Sequence, residues 1–418
     1  MSIFANGLVA AMEDETQAAE LAIDSTGADS AEADIVEATD ISADVEAGTA
    51  EIDQASADAE TLTRIADTAE AAEDDGGLDP VAAEVTEIAV EAIYARLGVK
   101  HTSYPALESF SGRSGRKRAT RIAVEDIKET VKKIWAAIVV AFQKMYDFVK
   151  NFFAKIFDAN RKLLARINAL EKRLTGKDMK ETGGKVKLTG GLSKIGIKNK
   201  TDAMAALKDV GSDIAAIRKE AAALLDRAKA DIPHVTKEIT NGKDLESKED
   251  VLKAQKDQEG FVHVFTGLKG PVSELVTAKY SDESGINISF GSGKGDAGEV
   301  DALTLADCRT VLGSSEAIVK DNLNAKTELA RVEASLASVI ESFKKVAEVS
   351  NEEGDKAKLI TEKSRRVQRV YGNIGTSVIT ALSNSQKLSL EFAKSGIDYV
   401  ERSLNSKGAD KKDSDDKK

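Results

Sequence analysis

The fold is decided by residues 131–157, VKKIWAAIVVAFQKMYDFVKNFFAKIF, where apolar side chains recur at steps of three and four. Because 3.6 residues complete one helical turn, side chains at this spacing lie on one face of a helix. The pattern predicts a long amphipathic helix over about 124–174. Its stripe consists of Val131, Ile134, Ile138, Phe142, Met145, Val149, Phe152 and Ile156, widened by Trp135, Val139, Tyr146, Phe153 and Phe157.

Helical periodicity continues on both sides of this stretch. Upstream, Asp79 as N-cap, Pro80 in the first turn and Gly98 as a stop predict a short helix. Downstream, helices are predicted over about 202–232, ended by Pro233, and over 304–350 and 356–404. The helix over 304–350 holds the three-four spacing of a coiled-coil seam, and we expect the helix over 356–404 to fold back against it as an antiparallel hairpin.

One part of the chain changes its period. Phe261–Phe265, Glu274–Tyr280 and Ile286–Phe290 are strand-like runs separated by Gly, Asp and Ser. The expected fold class is therefore mainly α: a long-helix bundle with a small antiparallel β insertion, preceded by an acidic and weakly structured helical segment. Only thinly spread apolar residues occur over 15–75, so weak helices or disorder are predicted there.

Charge is distributed very unevenly along the 418 residues. The chain carries a net charge of −12, but residues 1–108, here called the acidic segment, have 26 Asp and Glu against three basic residues and hold −23. The other 310 residues hold +11. This asymmetry indicates that one part masks or targets the other. The simpler interpretation is an acidic tail that only aids solubility.

These patterns divide the chain into six parts. The acidic segment is predicted to be a propeptide that begins with a docking stretch, residues 1–14. A basic arm over 109–123 and a long-helix region over 124–259 follow. The β insertion then takes 260–303, the helical hairpin 304–404 and a frayed tail 405–418.

Residue types that support catalysis or metal binding are scarce. A single Cys308 and three histidines exclude a disulfide framework and make a zinc site unexpected. Gly293-Lys-Gly-Asp-Ala-Gly298 fits GxGxxG but lacks a βαβ unit, so it indicates a flexible hairpin end. Cys308 is expected to be a buried structural thiol and His263 a packed strand residue. We predict neither enzymatic activity nor a metal or cofactor, and no integral membrane insertion.

Five basic residues within nine positions form the clearest candidate binding site. Ser and Gly lie between them, which is typical of a flexible arm that neutralises phosphates without reading sequence. Double-stranded DNA, bound without sequence specificity, is the expected partner, although a charge run is more commonly a solvated surface. The DNA-contacting residues, here called the basic cluster, are Arg113, Arg116, Lys117, Arg118 and Arg121. A second group, Lys363, Arg365, Arg366 and Arg369, is predicted to be a solvated helix face.

A candidate processing site lies where the charge inverts. Ala106, Leu107 and Glu108 form a small-x-Glu motif, followed by Ser109, in a connector expected to be exposed. The motif is short and recurs elsewhere in this Ala- and Glu-rich chain. Its coincidence with an open loop, a charge inversion and the basic cluster distinguishes this copy. We therefore predict cleavage between Glu108 and Ser109.

This layout resembles the internal head proteins of the phiKZ-like giant tailed phages. The resemblance implies an acidic propeptide removed after Glu108 by a phage prohead protease and a helical protein packed with DNA inside the capsid. It further implies capsid core or scaffold proteins as partners, assembly in the host cytoplasm, a final place in the virion interior and possible ejection into the host. Ala106, Leu107 and Glu108 match the family's processing motif, and no other functional residue transfers.

A membrane-active protein is the rival interpretation. The aromatic stripe of the long helix, with lysines opposite, also suits a helix that lies in a membrane interface after an acidic pro-segment is removed. A helix bundle equally requires a wide apolar face on its longest member. Because three other long amphipathic helices are available to cover that face, we favour burial in a core.

Overall fold

A computed structural model describes residues 29–98, 104–175, 183–240, 249–281, 285–291, 293, 295, 298–349 and 355–406. Helices dominate these residues, with two small antiparallel sheets, which confirms the predicted fold class. Buried apolar residues from Ile52 to Val400 form one continuous hydrophobic core. The acidic segment therefore contributes to the same core as the rest of the chain.

The helices of the N-terminal half are α1, Asp29–Asp74; α2, Pro80–Leu97; α3, Arg113–Leu174; α4, Gly190–Lys194; and α5, Lys200–Thr240. Asp79 caps α2 by accepting a hydrogen bond from the Ala82 amide, and Gly98 ends it in the left-handed conformation, as the sequence indicates. The prediction that Pro233 ends the helix over about 202–232 is wrong. Pro233 lies inside α5, where a proline removes one backbone donor without ending the helix.

The C-terminal half contains α6, Glu249–Thr266; α7, Leu305–Asn324; α8, Lys326–Val349; and α9, Asp355–Asn405. The strand predicted at Phe261–Phe265 is wrong, since these residues form the last turns of α6 and His263 is helical. Phe261 and Phe265 lie one turn apart and pack edge to face at 5.3 Å, so apolar side chains at this spacing also satisfy a helix. The single helix predicted over 304–350 is divided at Ala325.

Two short sheets complete the fold. The strands β2, Val276–Ser281, and β3, Gly285–Phe290, pair antiparallel with Val276 opposite Phe290, as the sequence predicts for this part of the insertion. The strands β1, Lys185–Lys187, and β4, Glu299–Asp301, pair antiparallel across more than a hundred residues. The segment between α3 and α4 thus supplies one strand of a long-range pair.

Helix α9 is the axis of the bundle. Nearly every residue from Tyr371 to Val400 is buried, although many of them are Ser, Thr, Asn or Gln. Helices α7 and α8 run antiparallel to α9: Asn322 donates to Ser389 at 2.8 Å, and Leu336 lies beside Gly375 nearer the other end. Between Tyr371 and Val400, α9 therefore lacks the single solvent face of an ordinary amphipathic helix, because neighbouring elements enclose it on every side.

The face of α3 that carries the aromatic stripe lies inside this bundle. Trp135, Phe142, Phe152 and Phe153 are at most 7% exposed, and Phe157 is half-buried. Over the part of the chain that the structure describes, no helix is long and apolar enough to cross a membrane. Because its aromatic side chains are buried against other helices, the aromatic stripe is a core face, as favoured above.

Helix α1 packs lengthwise and antiparallel against the N-terminal half of α3. Glu73 near the C-terminal end of α1 pairs with Arg121, and Thr49 near the middle of α1 donates from its hydroxyl to the Met145 sulfur. Between them the buried face of α1 consists of Ile52, Ala55, Ala59, Leu62, Ala66 and Ala69. Because alanine allows two helix backbones to approach closely, this alanine-rich face forms a packed interface, where the sequence indicated too little to bury.

Candidate nucleic-acid interface and processing site

The predicted cleavage motif lies on the surface between α2 and α3. Ala106, Leu107, Glu108 and Ser109 are all exposed, and Ala106 is extended. Residues Leu107–Phe110 form one 3-10 turn, in which the Ser109 amide donates to the Ala106 carbonyl at 2.8 Å. The bond between Glu108 and Ser109 is thus accessible but is held in a turn.

Phe110 anchors this turn. Its side chain is fully buried, whereas the four residues before it are exposed. Gly112 then adopts a positive φ of 71°, which redirects the chain into α3 at Arg113. The structure describes this connector from residue 104 onward, so His101 lies outside the described residues.

The basic cluster is helical, and the prediction of a flexible arm is wrong. All five residues lie in the first turns of α3. Arg and Lys are good helix formers, and Ala119 and Thr120 in the same turns are buried, so tertiary packing fixes the helix here. Arg113, Lys117, Arg118 and Arg121 are exposed and Arg116 is half-buried.

Acidic residues at the C-terminal end of α1 lie against this cluster. The Arg121 guanidinium donates to Glu73 Oε1 from Nη2 at 2.6 Å and from Nε at 2.9 Å. This hydrogen bond raises the pKa of Arg121 above its ordinary value, so the group stays charged. One turn earlier on α1, Glu70 Oε2 accepts a hydrogen bond from Lys128 Nζ at 2.8 Å. The acidic segment therefore neutralises part of the basic surface directly.

The linker between α1 and α2 fits closely over the same turns of α3. The Leu78 amide donates to Thr120 Oγ1 at 2.9 Å. Gly77 has a φ of 87°, and a Cβ there would lie 2.6 Å from the Arg116 carbonyl oxygen. Only glycine allows the linker backbone to approach this closely.

A surface depression lies between the linker and the basic cluster. It is lined by Asp74 and Gly76 on one side and by Arg113, Lys117 and Arg118 on the other. Its lining brings together four of the five predicted DNA-contacting residues, since Arg121 borders it as well. Such a concentration of guanidinium and ammonium groups suits phosphate or carboxylate oxygens.

Helix α2 is fixed to α3 by a buried hydrogen-bond group. The Tyr94 hydroxyl donates to Thr130 Oγ1 at 2.9 Å and lies 3.4 Å from Asp126. Burial raises the pKa of Tyr94, so the hydroxyl keeps its proton and remains a donor. Arg96 at the end of α2 pairs with Asp58 of α1 at 2.6 Å.

The other sequence candidates whose side chains the structure describes carry no binding geometry. Gly293 and Gly295 pack against the turn that follows α4, and the motif does not open a helix. Cys308 is fully buried, and burial raises the pKa of its thiol to about 11. Within the described ranges, no group of three or more His, Cys, Asp or Glu side chains is placed to hold a metal ion. Lys363, Arg365, Arg366 and Arg369 have side chains outside the described residues.

Sequence reasoning missed the acidic half of this site. Glu70, Glu73 and Asp74 are three of many acids in the segment, and no motif distinguishes them. Their only signal is position, immediately before the Gly76-Gly77 linker. The charge inversion indicated masking in general but could not indicate which carboxylates contact the cluster.

The described residues thus form a helical bundle whose surface brings acidic residues of α1 against the basic cluster of α3. A comparison with protein families matches residues 31–404 to the phiKZ-like phage internal head proteins, and the chain belongs to that family. Its place is therefore the interior of the phage head. No curated protein and no solved structure matched the chain.

Proposed function

We propose that the chain is an internal head protein made with a removable acidic propeptide, residues 1–108. The propeptide delivers the chain to the capsid core and occupies the basic cluster until a prohead protease cuts after Glu108. The released chain then contacts packaged double-stranded DNA without reading its sequence. The pairing of Glu73 with Arg121 at the end of α1 is the observation that carries this proposal.

Masking follows from the chemistry of the contact. A carboxylate offers a guanidinium the same paired oxygens as a phosphate does, so Glu73 and a DNA phosphate compete for Arg121. An exposed ion pair alone is weak, because solvent screens the two charges. The buried apolar face of α1 supplies the affinity of α1 for α3. The ion pairs position the C-terminal end of α1 beside the basic cluster.

Cleavage changes the charge that DNA meets. The intact chain carries −12, and removal of residues 1–108 leaves +11. Non-specific DNA binding depends on neutralised phosphates and released counterions, so this change of sign favours binding. The cut severs the covalent link, and DNA entering the head competes with Glu70 and Glu73 for the surface that α1 covers.

The processing site requires one local rearrangement. Exposed chain segments with small and polar residues are the preferred places for proteolysis. Because the Glu108–Ser109 bond lies in a 3-10 turn, residues Ala106–Ser109 must unwind before a protease can bind them as an extended chain. Burial of Phe110 opposes that unwinding, which limits premature cutting.

Further small-x-Glu motifs occur in the acidic segment, including Ala71-Ala72-Glu73 and Ala82-Ala83-Glu84. A cut after Glu73 would separate α1 from the linker that lies over α3. Additional cuts of this kind would help the propeptide to leave in pieces.

The proposed role of the released chain in the head is structural, and it is followed by ejection into the host. This role includes no catalytic step.

The proposal is tested by DNA binding before and after cleavage of the same chain. Residues 104–109 are replaced by the recognition sequence of a site-specific protease, and affinity for a 30-base-pair duplex is measured by fluorescence anisotropy across a salt series. If four or five residues contact phosphates, the separated product should show a slope of roughly −4 in log affinity against log salt, and the intact chain should bind far more weakly.

Two sets of substitutions serve as test and control. Changing Arg113, Arg116, Lys117, Arg118 and Arg121 to Gln should flatten the slope. A matched set changes five exposed lysines outside the cluster and should lower affinity far less: Lys132, Lys150, Lys172, Lys208 and Lys219. Equal effects of the two sets, or equal binding before and after the cut, would refute the assignment.

A further inference from the structure

Helix α2 carries an apolar stripe that faces solvent. Val81, Val85 and Ile88 are 70%, 62% and 61% exposed. Ala92 and Ala95, also exposed, extend the stripe to the end of the helix. Over the described residues, these three large side chains and Leu107 are the exposed large hydrophobics, whereas α2 packs on the bundle through its opposite face.

The spacing of the stripe is that of a coiled-coil seam. Steps of four, three, four and three separate the residues from Val81 to Ala95, which occupy successive d and a positions of a heptad. At 1.5 Å per residue the seam is about 21 Å long. An exposed apolar row of this regularity marks an interaction surface rather than scattered surface residues.

The two edges of the seam differ in charge. Glu84 and Glu91 lie one heptad apart on one edge, both exposed. Ala82 and Ala89 lie on the other edge, where small side chains leave room for a neighbouring helix. In coiled coils the residues at these edges set partner choice and orientation.

We propose that this face of α2 binds a basic amphipathic helix of another protein of the capsid core, with an apolar seam flanked by Lys or Arg. The proposal identifies the surface that would act in delivery of the chain to the capsid core. It rests on the proposed function only for the location of the partner, which is that core. The docking surface lies N-terminal to Glu108, so cleavage there separates it from the chain that remains with DNA.

Charge excludes two other occupants. In an antiparallel pair of two copies, Glu84 of one copy would face Glu91 of the other, and in a parallel pair Glu91 would need Arg96, which already pairs with Asp58. The N-terminal stretch 1–14 of the same chain has apolar residues but no Lys or Arg. Neither complements the acidic edge.

The test uses the unprocessed full chain and a synthetic probe. The probe is a labelled three-heptad peptide with Leu and Ile in its seam and Lys at both edges, and a second peptide with Glu at the edges is its match. Binding is measured by fluorescence anisotropy at 150 mM salt. We expect the Lys-edged peptide to bind and the Glu-edged peptide to bind at least tenfold more weakly.

Substitution separates seam binding from simple charge attraction. The double variant Val85→Ser and Ile88→Ser keeps every charge, and because both side chains are exposed its fold should be unchanged by circular dichroism. It should bind the Lys-edged peptide at least tenfold more weakly, while the control Ala154→Ser, at an exposed position in the C-terminal half of α3, binds like the wild type. Unchanged binding by the double variant would overturn the proposal.

Two further outcomes would also overturn it by identifying another occupant. A dimer of the full chain in sedimentation that the double variant makes monomeric would assign the face to a second copy. Probe binding that occurs only after deletion of residues 1–14 would assign it to the chain's own N-terminus. Because this test involves neither DNA nor cleavage, failure of the docking proposal would not contradict the proposal that α1 masks the basic cluster, which has its own test.

Discussion

Leu62 is the position at which masking by α1 can be weakened without changing any charge. Its side chain is fully buried on the face of α1 that packs against α3, between the fixed points Glu73–Arg121 and Thr49–Met145. Replacing a buried leucine by alanine costs about 2–5 kcal/mol, through lost transfer free energy and the cavity left behind. A central value of about 3 kcal/mol would weaken docking of α1 by roughly a hundredfold.

This loss should appear as a gain in DNA binding by the intact chain. Where the binding-competent state is a minor one, the apparent dissociation constant is the intrinsic one divided by the competent fraction. Leu62→Ala should therefore tighten apparent affinity for a 30-base-pair duplex by up to about a hundredfold, limited by the affinity of the fully unmasked chain.

The assay pairs fluorescence anisotropy with hydrogen exchange. Amides of α1 should exchange faster in Leu62→Ala, while those of α9 keep their protection. The control Val85→Ala removes a similar apolar group that is 62% exposed and should change neither measurement. Faster exchange of α1 with unchanged DNA affinity would refute the claim that α1 masks the DNA-binding surface.

Three other predictions follow from particular contacts. Phe110→Ala should release the turn around Glu108 and raise the rate of cutting there by a Glu-specific endoprotease several-fold, and an unchanged rate would show that the turn does not limit cleavage. Phe142→Asp should lower the melting temperature sharply, since a buried unpaired charge commonly costs several kcal/mol, whereas loss of liposome binding alone would favour the membrane interpretation. Burial raises the pKa of Cys308 to about 11. The thiolate, which is the form that reacts with iodoacetamide, is therefore about a thousandth of the thiol at pH 8, and the rate of alkylation should increase as the pH rises toward 11. Rapid alkylation of the folded chain at pH 8 would contradict this.

The sequence was informative where a pattern has one structural solution. The stripe on α3, the caps of α2 and the pair β2–β3 follow from local periodicity and turn chemistry, and the structure contains them. It failed where tertiary packing decides between two solutions. Phe261 and Phe265 fit both a strand and a helix, and Pro233 lies inside α5 because the helix continues on both sides of it.

The candidate site was predictable in composition but not in conformation. Arg113–Arg121 looked like a flexible arm because Ser114 and Gly115 interrupt it, yet burial of Ala119 and Thr120 makes it helical. The packed face of α2 could not be predicted from its apolar pattern either. Val81, Val85 and Ile88 form its most obvious apolar stripe, but the packed face is the one with Val90, Ile93 and Tyr94, which only the position of α1 and α3 determines.

The central claim is that residues 1–108 are a propeptide removed by a cut after Glu108, and the N-terminus of the chain in purified phage particles tests it most directly. The particles are denatured and digested with a Lys-specific protease, and the peptides that cover residues 101–117 are identified by mass spectrometry. The account predicts a chain whose first residue is Ser109, seen as the peptide Ser109–Lys117. An intact peptide His101–Lys117 as the dominant product from mature particles would contradict it.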